Sequence, residues 1–193
     1  NGVLFETVIK NITRGAQIKA SVLDEIVSDK PTNMQYLMLA NLQDGIISDE
    51  LPYLKGIDSK YDKYCIKNGS LVISKNASPV KMAIASVQEG NKILANGNLY
   101  VIELDEDKIN PYFLKAYLES ENGKAALSRV AVGATLLNLP VEGLKKVIIP
   151  LPDLESQKKI ADQYYAKLSE IKELKYKLEK ATEELEHIYT EEK

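Results

Sequence analysis

The sequence predicts a mixed α/β (α+β) fold: a globular domain around a mixed, mostly antiparallel sheet, followed by a long C-terminal coiled-coil-type α-helix. Short apolar runs separated by Asp-Gly and Asn-Gly turn signals fill the first 150 or so residues, which is the pattern of strands and hairpins. Asn110-Pro111 opens a helix among them, with Asn as cap and Pro at the first helical position. No Gly or Pro interrupts Glu155 to Lys193, where an apolar stripe recurs at helical spacing.

In chain order, Leu4 to Ile12 reads as a strand or short helix, broken by Thr13, Arg14 and Gly15, and a polar loop follows to Asn33. Tyr36 to Ala40 reads as a strand, Asp44-Gly45 as a turn, and Ile46-Ile47 as the start of a returning strand. Asn68-Gly69 precedes the strand Leu71-Val72-Ile73; Ser74 to Val80 loops to a partner within Lys81 to Val87, and Leu99 to Leu104 adds another. Phe113, Leu114, Tyr117 and Leu118 mark the helix opened at Asn110, which Asn122-Gly123 is expected to stop or kink, with a second piece over Lys124 to Val130. Val147-Ile148-Ile149 is a last strand, closed by Pro150 and Pro152. The boundary falls there, giving a domain over residues 1–152 and a helix over 153–193.

In that helix Ile160, Tyr164, Leu168, Ile171, Leu174, Leu178, Ala181, Leu185 and Ile188 span 28 residues in eight steps, an average of 3.5. That is the supercoiling period. A helix of this length reaches about 50 Å, more than a domain of this size covers, so part of its stripe is expected to meet another helix. The alternative is a helix folded back on its own domain. Lys175 and Thr182 flank the seam, which suits a chosen partner better than a tight self-zipper.

Composition narrows the function. The chain has 193 residues, 45% hydrophobic, enough for a real core. One cysteine, Cys65, and one histidine, His187, exclude a disulfide scaffold and a His/Cys zinc site, and no metal or other cofactor is expected. No apolar run is long enough to span a membrane, and neither a basic leader nor any export signal is evident, so a cytoplasmic protein is expected. The chain opens without an initiator Met, which suggests a fragment of something longer or a trimmed chain.

A net charge of -3 argues at first against a nucleic-acid partner. Its distribution weakens the objection: from Asp153 onward eight Lys face eleven Asp or Glu, so the tail carries the whole excess. Residues 55–102 hold seven Lys against three acids.

No catalytic constellation is present: the sequence has no phosphate-binding Gly-Lys loop, no Gly-x-Gly-x-x-Gly, no Gly-x-Ser-x-Gly elbow and no HExxH. The acid pairs at Asp24-Glu25, Asp49-Glu50 and Asp105 to Asp107 read as solvated loop residues, Cys65 as an ordinary semi-buried thiol, and His187 as a solvent-facing side chain next to the apolar seam. The loop Ser74 to Lys81 is different. Lys75 and Lys81 bracket Asn76 and Ser78, an arrangement that can put charge on phosphate and short polar donors at base edges; a solvated turn is the alternative. The same holds for Arg14 to Gln17, with Lys19 beyond, for Asn96-Gly97-Asn98, and for Gly133-Ala134-Thr135.

The order of these pieces resembles a target-recognition half of the specificity subunit of Type I restriction-modification systems. The exit from the domain carries most of the likeness: Gly133-Ala134-Thr135, then Leu139, Leu144 and Val147-Ile148-Ile149-Pro150-Leu151-Pro152, then Leu154-Glu155-Ser156-Gln157-Lys158-Lys159-Ile160 opening the helix. In that family an Ile-Pro-x-Pro step, a Leu and a Gln-x-x-Ile helix start close each recognition domain. Tyr36 to Ile47, Asn68 to Ala85 and Asn110 to Ser120 also resemble family segments. A complete subunit has two recognition domains and two such helices, and this chain has one of each.

The resemblance implies a non-catalytic specificity module that reads one half of a bipartite site in double-stranded DNA. Its DNA contacts would come from Arg14, Gln17, Lys19, Lys75, Asn76, Ser78, Lys81, Asn96, Asn98 and Thr135. Its helix would pair through Ile160, Tyr164, Leu168, Ile171, Leu174, Leu178, Leu185 and Ile188 with a second specificity half or a second copy, as a ruler between half-sites. Modification (adenine methyltransferase) subunits would dock on this frame and supply the chemistry, with the restriction subunit associating indirectly. Two other functions fit the residues: a protein-interaction adaptor with an oligomerising helix, favoured by the acidic total charge, and the recognition portion of a fused restriction-methylation enzyme.

Overall fold

The computed structural model describes residues 2–133 and 135–188. The elements follow in the order β1 (Gly2–Leu4), β2 (Ile9–Arg14), α1 (Ala20–Ile26), β3 (Val27–Ser28), β4 (Met34–Leu37), β5 (Leu42–Gln43), β6 (Ile46–Ile47), β7 (Tyr53–Leu54), β8 (Leu71–Ser74), β9 (Met82–Ile84), β10 (Lys92–Ala95) and β11 (Leu99–Leu104). Then come α2 (Pro111–Glu119), α3 (Glu121–Val130), α4 (Val141–Lys145), β12 (Ile148–Pro150) and α5 (Leu154–His187). Residues 189–193 of the expected helix, and Ala134 of the Gly-Ala-Thr step, lie outside the described residues.

The organising sheet is antiparallel, in the order β2-β11-β8-β9. β8 is buried throughout and β11 everywhere but Glu103, because both faces of the sheet are covered. That is why Leu71-Val72-Ile73 and Leu99 to Ile102 read as continuous apolar runs instead of alternating ones. On one face Leu71, Ile73, Tyr100 and Ile102 pack with Phe113, Leu114 and Leu118 of α2 and with Leu127, Leu144 and Ala161. On the other, Val72, Leu99 and Val101 meet Leu37, Ile93 and Ala95 from a second sheet, β10-β4-β7-β3, and Leu42 from the β5–β6 hairpin. In that sheet β10 runs parallel to β4, so the whole is mixed and mostly antiparallel, as expected.

Several local expectations need correction. The polar stretch to Asn33 holds α1 and β3, elements whose residues are exposed or half-buried and so left little apolar signal. The strand read at Tyr36 to Ala40 lies at Met34–Leu37, and a 3-10 turn over Leu39–Asn41 takes its end. The hairpin therefore forms between β5 and β6, with Asp44 and Gly45 at φ 51° and 75° as its turn. β10 went unread between Lys92 and Ala95. The break after α2 falls at Ser120, which ends that helix and caps α3 by accepting from the Gly123 amide. Gly123 is inside α3 and allows a close crossing: a Cβ there would lie 2.0 Å from the Tyr117 carbonyl oxygen.

The cap expected at Asn110 is formed, and α5 has a second one at Asp153. Asn110 Oδ1 accepts from the amides of Tyr112 and Phe113, and Asp153 accepts from the Ser156 amide at the start of α5. α5 then packs across α2, burying Gln157 and Ala161. The Gln157 side chain is a plug: Oε1 accepts from the Asn110 amide at 2.8 Å, and Nε2 donates to the carbonyls of Lys108 (3.0 Å) and Pro152 (2.9 Å).

Candidate nucleic-acid interface

The four loops singled out in the sequence meet at one end of the β2-β11-β8-β9 sheet, joined by backbone hydrogen bonds. Leaving β2, the Gly15 amide donates to the Leu99 carbonyl at 2.9 Å and the Ala16 amide to Ala95 at 2.8 Å. Leaving β8, the Lys75 amide donates to the Asn98 carbonyl at 2.8 Å, while the Lys75 carbonyl accepts from the Leu139 amide at 2.9 Å. Ala77 reaches Leu137, and Asn76 pairs with Asn138. Segments far apart in sequence thus form one continuous surface. The glycines permit it: a Cβ at Gly15 would lie 2.0 Å from the Asn96 carbonyl oxygen, and one at Gly97 would lie 2.8 Å from Gln17 Cγ.

Within this surface the expected contact residues divide into braces and free groups. Arg14 Nε donates to the Gly97 carbonyl at 2.8 Å, and the Gln17 amide, oriented with its oxygen toward Arg14, accepts from Nη2 at 2.9 Å. Asn96 is committed inward, donating to the Tyr36 hydroxyl at 2.6 Å and accepting from the Asn98 amide at 2.9 Å. These residues hold the loops in place, and Asn96 has little capacity left to read a base. Burial raises the Tyr36 hydroxyl above its ordinary pKa, with Asn96 opposing, so it stays protonated near neutrality.

The Lys75, Lys81 and Lys19 ammonium groups make no ion pair among the described residues. The loop from Ser74 to Lys81 is closed at its base, where the Lys81 amide donates to Ser74 Oγ (2.9 Å) and the Ser74 amide to the Lys81 carbonyl (2.8 Å). Ser78, Asn98 and Thr135 are exposed, and Asn76 is half-buried. Lys19 stands apart from the network; its carbonyl accepts from Val22 and Leu23 at the start of α1. Asn138 was not singled out in the sequence. Its Oδ1 is buried without a partner among the described residues, in the loop that meets Asn76, and no spacing signal marked it.

The rest of the locally basic segment is largely neutralised elsewhere. Lys67 pairs with Glu103 at 2.8 Å and Lys92 with Asp62 at 2.8 Å, away from the converging loops. Among the described residues no group of His, Cys, Asp and Glu could hold a metal ion, and no helix is long and apolar enough to cross a membrane.

A protein-family model, the Type I restriction modification DNA specificity domain, matches residues 25–184. The chain belongs to that family. No curated protein matches the specificity-domain chain, but solved structures do. One comes from a study of complex assembly and conformational transition of the type I R-M system; it is 18% identical with a TM-score of 0.64, covering 97% of this chain and 43% of its own. The HsdS subunit from Thermoanaerobacter tengcongensis is 20% identical with a TM-score of 0.58, covering 90% and 39%. The S subunit from M. genitalium is 14% identical with a TM-score of 0.55, covering 84% and 37%. These likenesses establish a shared fold. The specificity domain spans about two fifths of the length of the solved chains it matches.

The specificity domain's helix presents two faces. At 100° per residue Gln157, Ala161, Tyr164, Leu168, Lys172 and Lys175 share one arc, and Ile160, Ile171, Leu174, Leu178, Leu185 and Ile188 centre about 90° away. The first set turns to the chain's own domain. Tyr164 is half-buried against α2, and Leu168 borders the cleft between α5 and the β5–β6 hairpin. The second set is exposed, from 42% at Ile171 to 69% at Leu185. The stripe read as a single seam is therefore two. Steps of four from Ile160 to Leu168 carry Tyr164 and Leu168 round to α2, while the alternating three-four spacing from Ile171 to Ile188 stays outside.

Proposed function

We infer that the chain is a sequence-specific DNA-binding module that reads one half of a bipartite target in double-stranded DNA. The observation that carries this is the convergence of the 14–17, 74–81, 96–98 and 131–139 loops on one sheet end, in a chain of the DNA specificity domain family. Lys75 and Lys81 supply unpaired cations for phosphate; Ser78, Asn76, Asn98 and Thr135 supply short polar groups at a height fixed by the loop network; Arg14, Gln17 and Asn96 shape the surface beneath them. Lys19, at the margin, suits a backbone contact.

The division of labour falls at Pro152, with residues 1–152 for recognition and 153–193 for spacing and assembly. The exposed Ile171 to Ile188 stripe pairs with the helix of a second specificity half or a second copy, and modification subunits dock on the same frame. The chain itself is non-catalytic and works in the cytoplasm; methyl transfer, and the base flipping that duplex methylation requires, belong to the modification subunits.

The test is selection from a random duplex library by the protein assembled with its modification subunit, followed by methylation-site mapping. The expected result is one enriched bipartite sequence with steeply salt-dependent binding. Recovery of no sequence, or salt-insensitive association, would overturn the assignment.

A further inference from the structure

Where α5 crosses α2, Lys115 is fully buried, and it closes a three-membered polar ring. Lys115 Nζ donates to Glu119 Oε1 at 2.9 Å and to the Tyr164 hydroxyl at 2.5 Å, and the Tyr164 hydroxyl donates to Glu119 Oε2. Lys115 and Glu119 belong to α2, and Tyr164 to α5. The β5–β6 hairpin roofs the ring: a Cβ at Gly45 would lie 2.6 Å from Lys115 Nζ and 3.1 Å from Glu119 Oε1, so a side chain there, at a φ of 75° that favours glycine, would push on both head groups. The hairpin is tied in turn to α5, by Asp44 with Lys175 and by Asp49 with Lys172 at 2.9 Å.

We propose that Lys115, Glu119 and Tyr164 are positioning residues that fix the angle at which the helix leaves the recognition domain. The consequence for half-site spacing rests on the DNA-reading function inferred above. Apolar contact at this crossing would hold the helix as firmly, but dispersion and hydrophobic burial are non-directional, and neighbouring crossing angles would cost little. A closed ring of hydrogen bonds between a buried ammonium, a carboxylate and a phenol is satisfied in one arrangement only. The lever is long. From Tyr164 to Ile188 the helix runs about 36 Å, so a 10° change in exit angle moves its far end by roughly 6 Å, close to two base-pair steps of 3.4 Å. The exposed ion pairs at Lys172 and Lys175 are individually too weak to resist such a change. Gln157 anchors the first turn, where the lever is hinged, and the ring two turns further on sets its direction.

The test measures the angle without DNA. In a Cys65→Ser background, spin labels on Lys124→Cys in α3 and Glu179→Cys in α5, diluted with unlabelled protein, report the domain-to-helix distance. The native chain is expected to give one narrow distribution. The apolar variant Lys115→Met, Glu119→Leu, Tyr164→Phe is expected to melt cooperatively and give a broad or displaced one; should it fail to fold, Tyr164→Phe alone serves, with a smaller broadening. An unchanged narrow distribution in whichever folded variant is measured overturns the proposal. In the second arm, a library of half-sites separated by varied gaps is offered to the assembled complex. The native protein is expected to select one gap and the variant several, with the half-site sequences unchanged; a single unchanged gap removes the spacing role. Enrichment of no DNA by either protein refutes the DNA-reading function, and the distances alone then decide the positioning role.

Discussion

Gly15 meets Asn96 backbone to backbone, closely enough that a Cβ on Gly15 would sit 2.0 Å from the Asn96 carbonyl oxygen. The neighbour is main chain anchored on both sides, by Asn96 N–H to the Leu37 carbonyl and by Ala16 N–H to the Ala95 carbonyl. It cannot give way cheaply. Gly15→Ala is expected to cost about 1–3 kcal/mol through overpacking, read as a lowered urea midpoint, and to loosen the loops that carry Arg14 and Asn98. A midpoint equal to that of the native chain would show that the strands separate there without cost.

Lys75 and Lys81 stand free at the same sheet end. If both face phosphate, Lys75→Ala and Lys81→Ala should weaken binding across all DNA sequences and each lower the slope of log K against log salt by about 0.9. Titrations at several salt concentrations check this, and an unchanged slope would turn the loop away from DNA.

The exposed stripe and the docked face of α5 are separable. Ile171→Ser, Leu178→Ser and Leu185→Ser together should leave the thermal transition of the recognition domain in place, because Gln157, Ala161 and Tyr164 hold the helix from its other side. Assembly should be lost. Sedimentation velocity distinguishes the outcomes, and an unchanged assembly would place the pairing surface elsewhere.

Gln157 serves three backbone groups with one side chain. Gln157→Ala leaves a buried Asn110 amide and two carbonyls without their partner, at about 1–3 kcal/mol for each group that water cannot reach. Hydrogen exchange at the Asn110 amide should rise well beyond that of its neighbours. Equal protection would mean another acceptor replaces the side chain.

Acid stability should depend on Glu103. Burial alone would raise its pKa, but hydrogen bonds from Lys67 and Asn11 and the charges of Lys67 and Lys10 outweigh burial and hold it below the usual 4.5. A depressed carboxyl pKa contributes stability that is present above the unfolded value and lost as pH falls through the folded one. The pH dependence of the denaturation midpoint below about pH 4.5 should therefore flatten in Glu103→Gln, and an identical profile would assign the acid sensitivity to other carboxylates.

What could be read in advance follows from how each signal is encoded. Asn110-Pro111 and Asp44-Gly45 act locally through capping and turn chemistry, and they stand where their residue types place them. The buried strands β8 and β11 were legible as apolar runs. β10 was not, because its pairing partner, β4, lies nearly sixty residues away and its first residue is an exposed lysine. The loops were identifiable as loops, but their convergence depends on sheet order, which no local pattern carries. Lys115 looked like any surface lysine on a helix; only the crossing of α5 and the Asp44-Gly45 turn over it bury the charge.

The pairing of β1 with β12 places Gly2 opposite Pro150, four residues before α5 begins. Everything between those strands leaves and re-enters at one seam. Recombination that replaces the interior and keeps the seam would therefore exchange the reading surface together with the seat of the helix, because Lys115, Glu119 and the Asn110 amide all lie inside it. A new interior would keep the old helix direction only if it brought an equivalent seat with it.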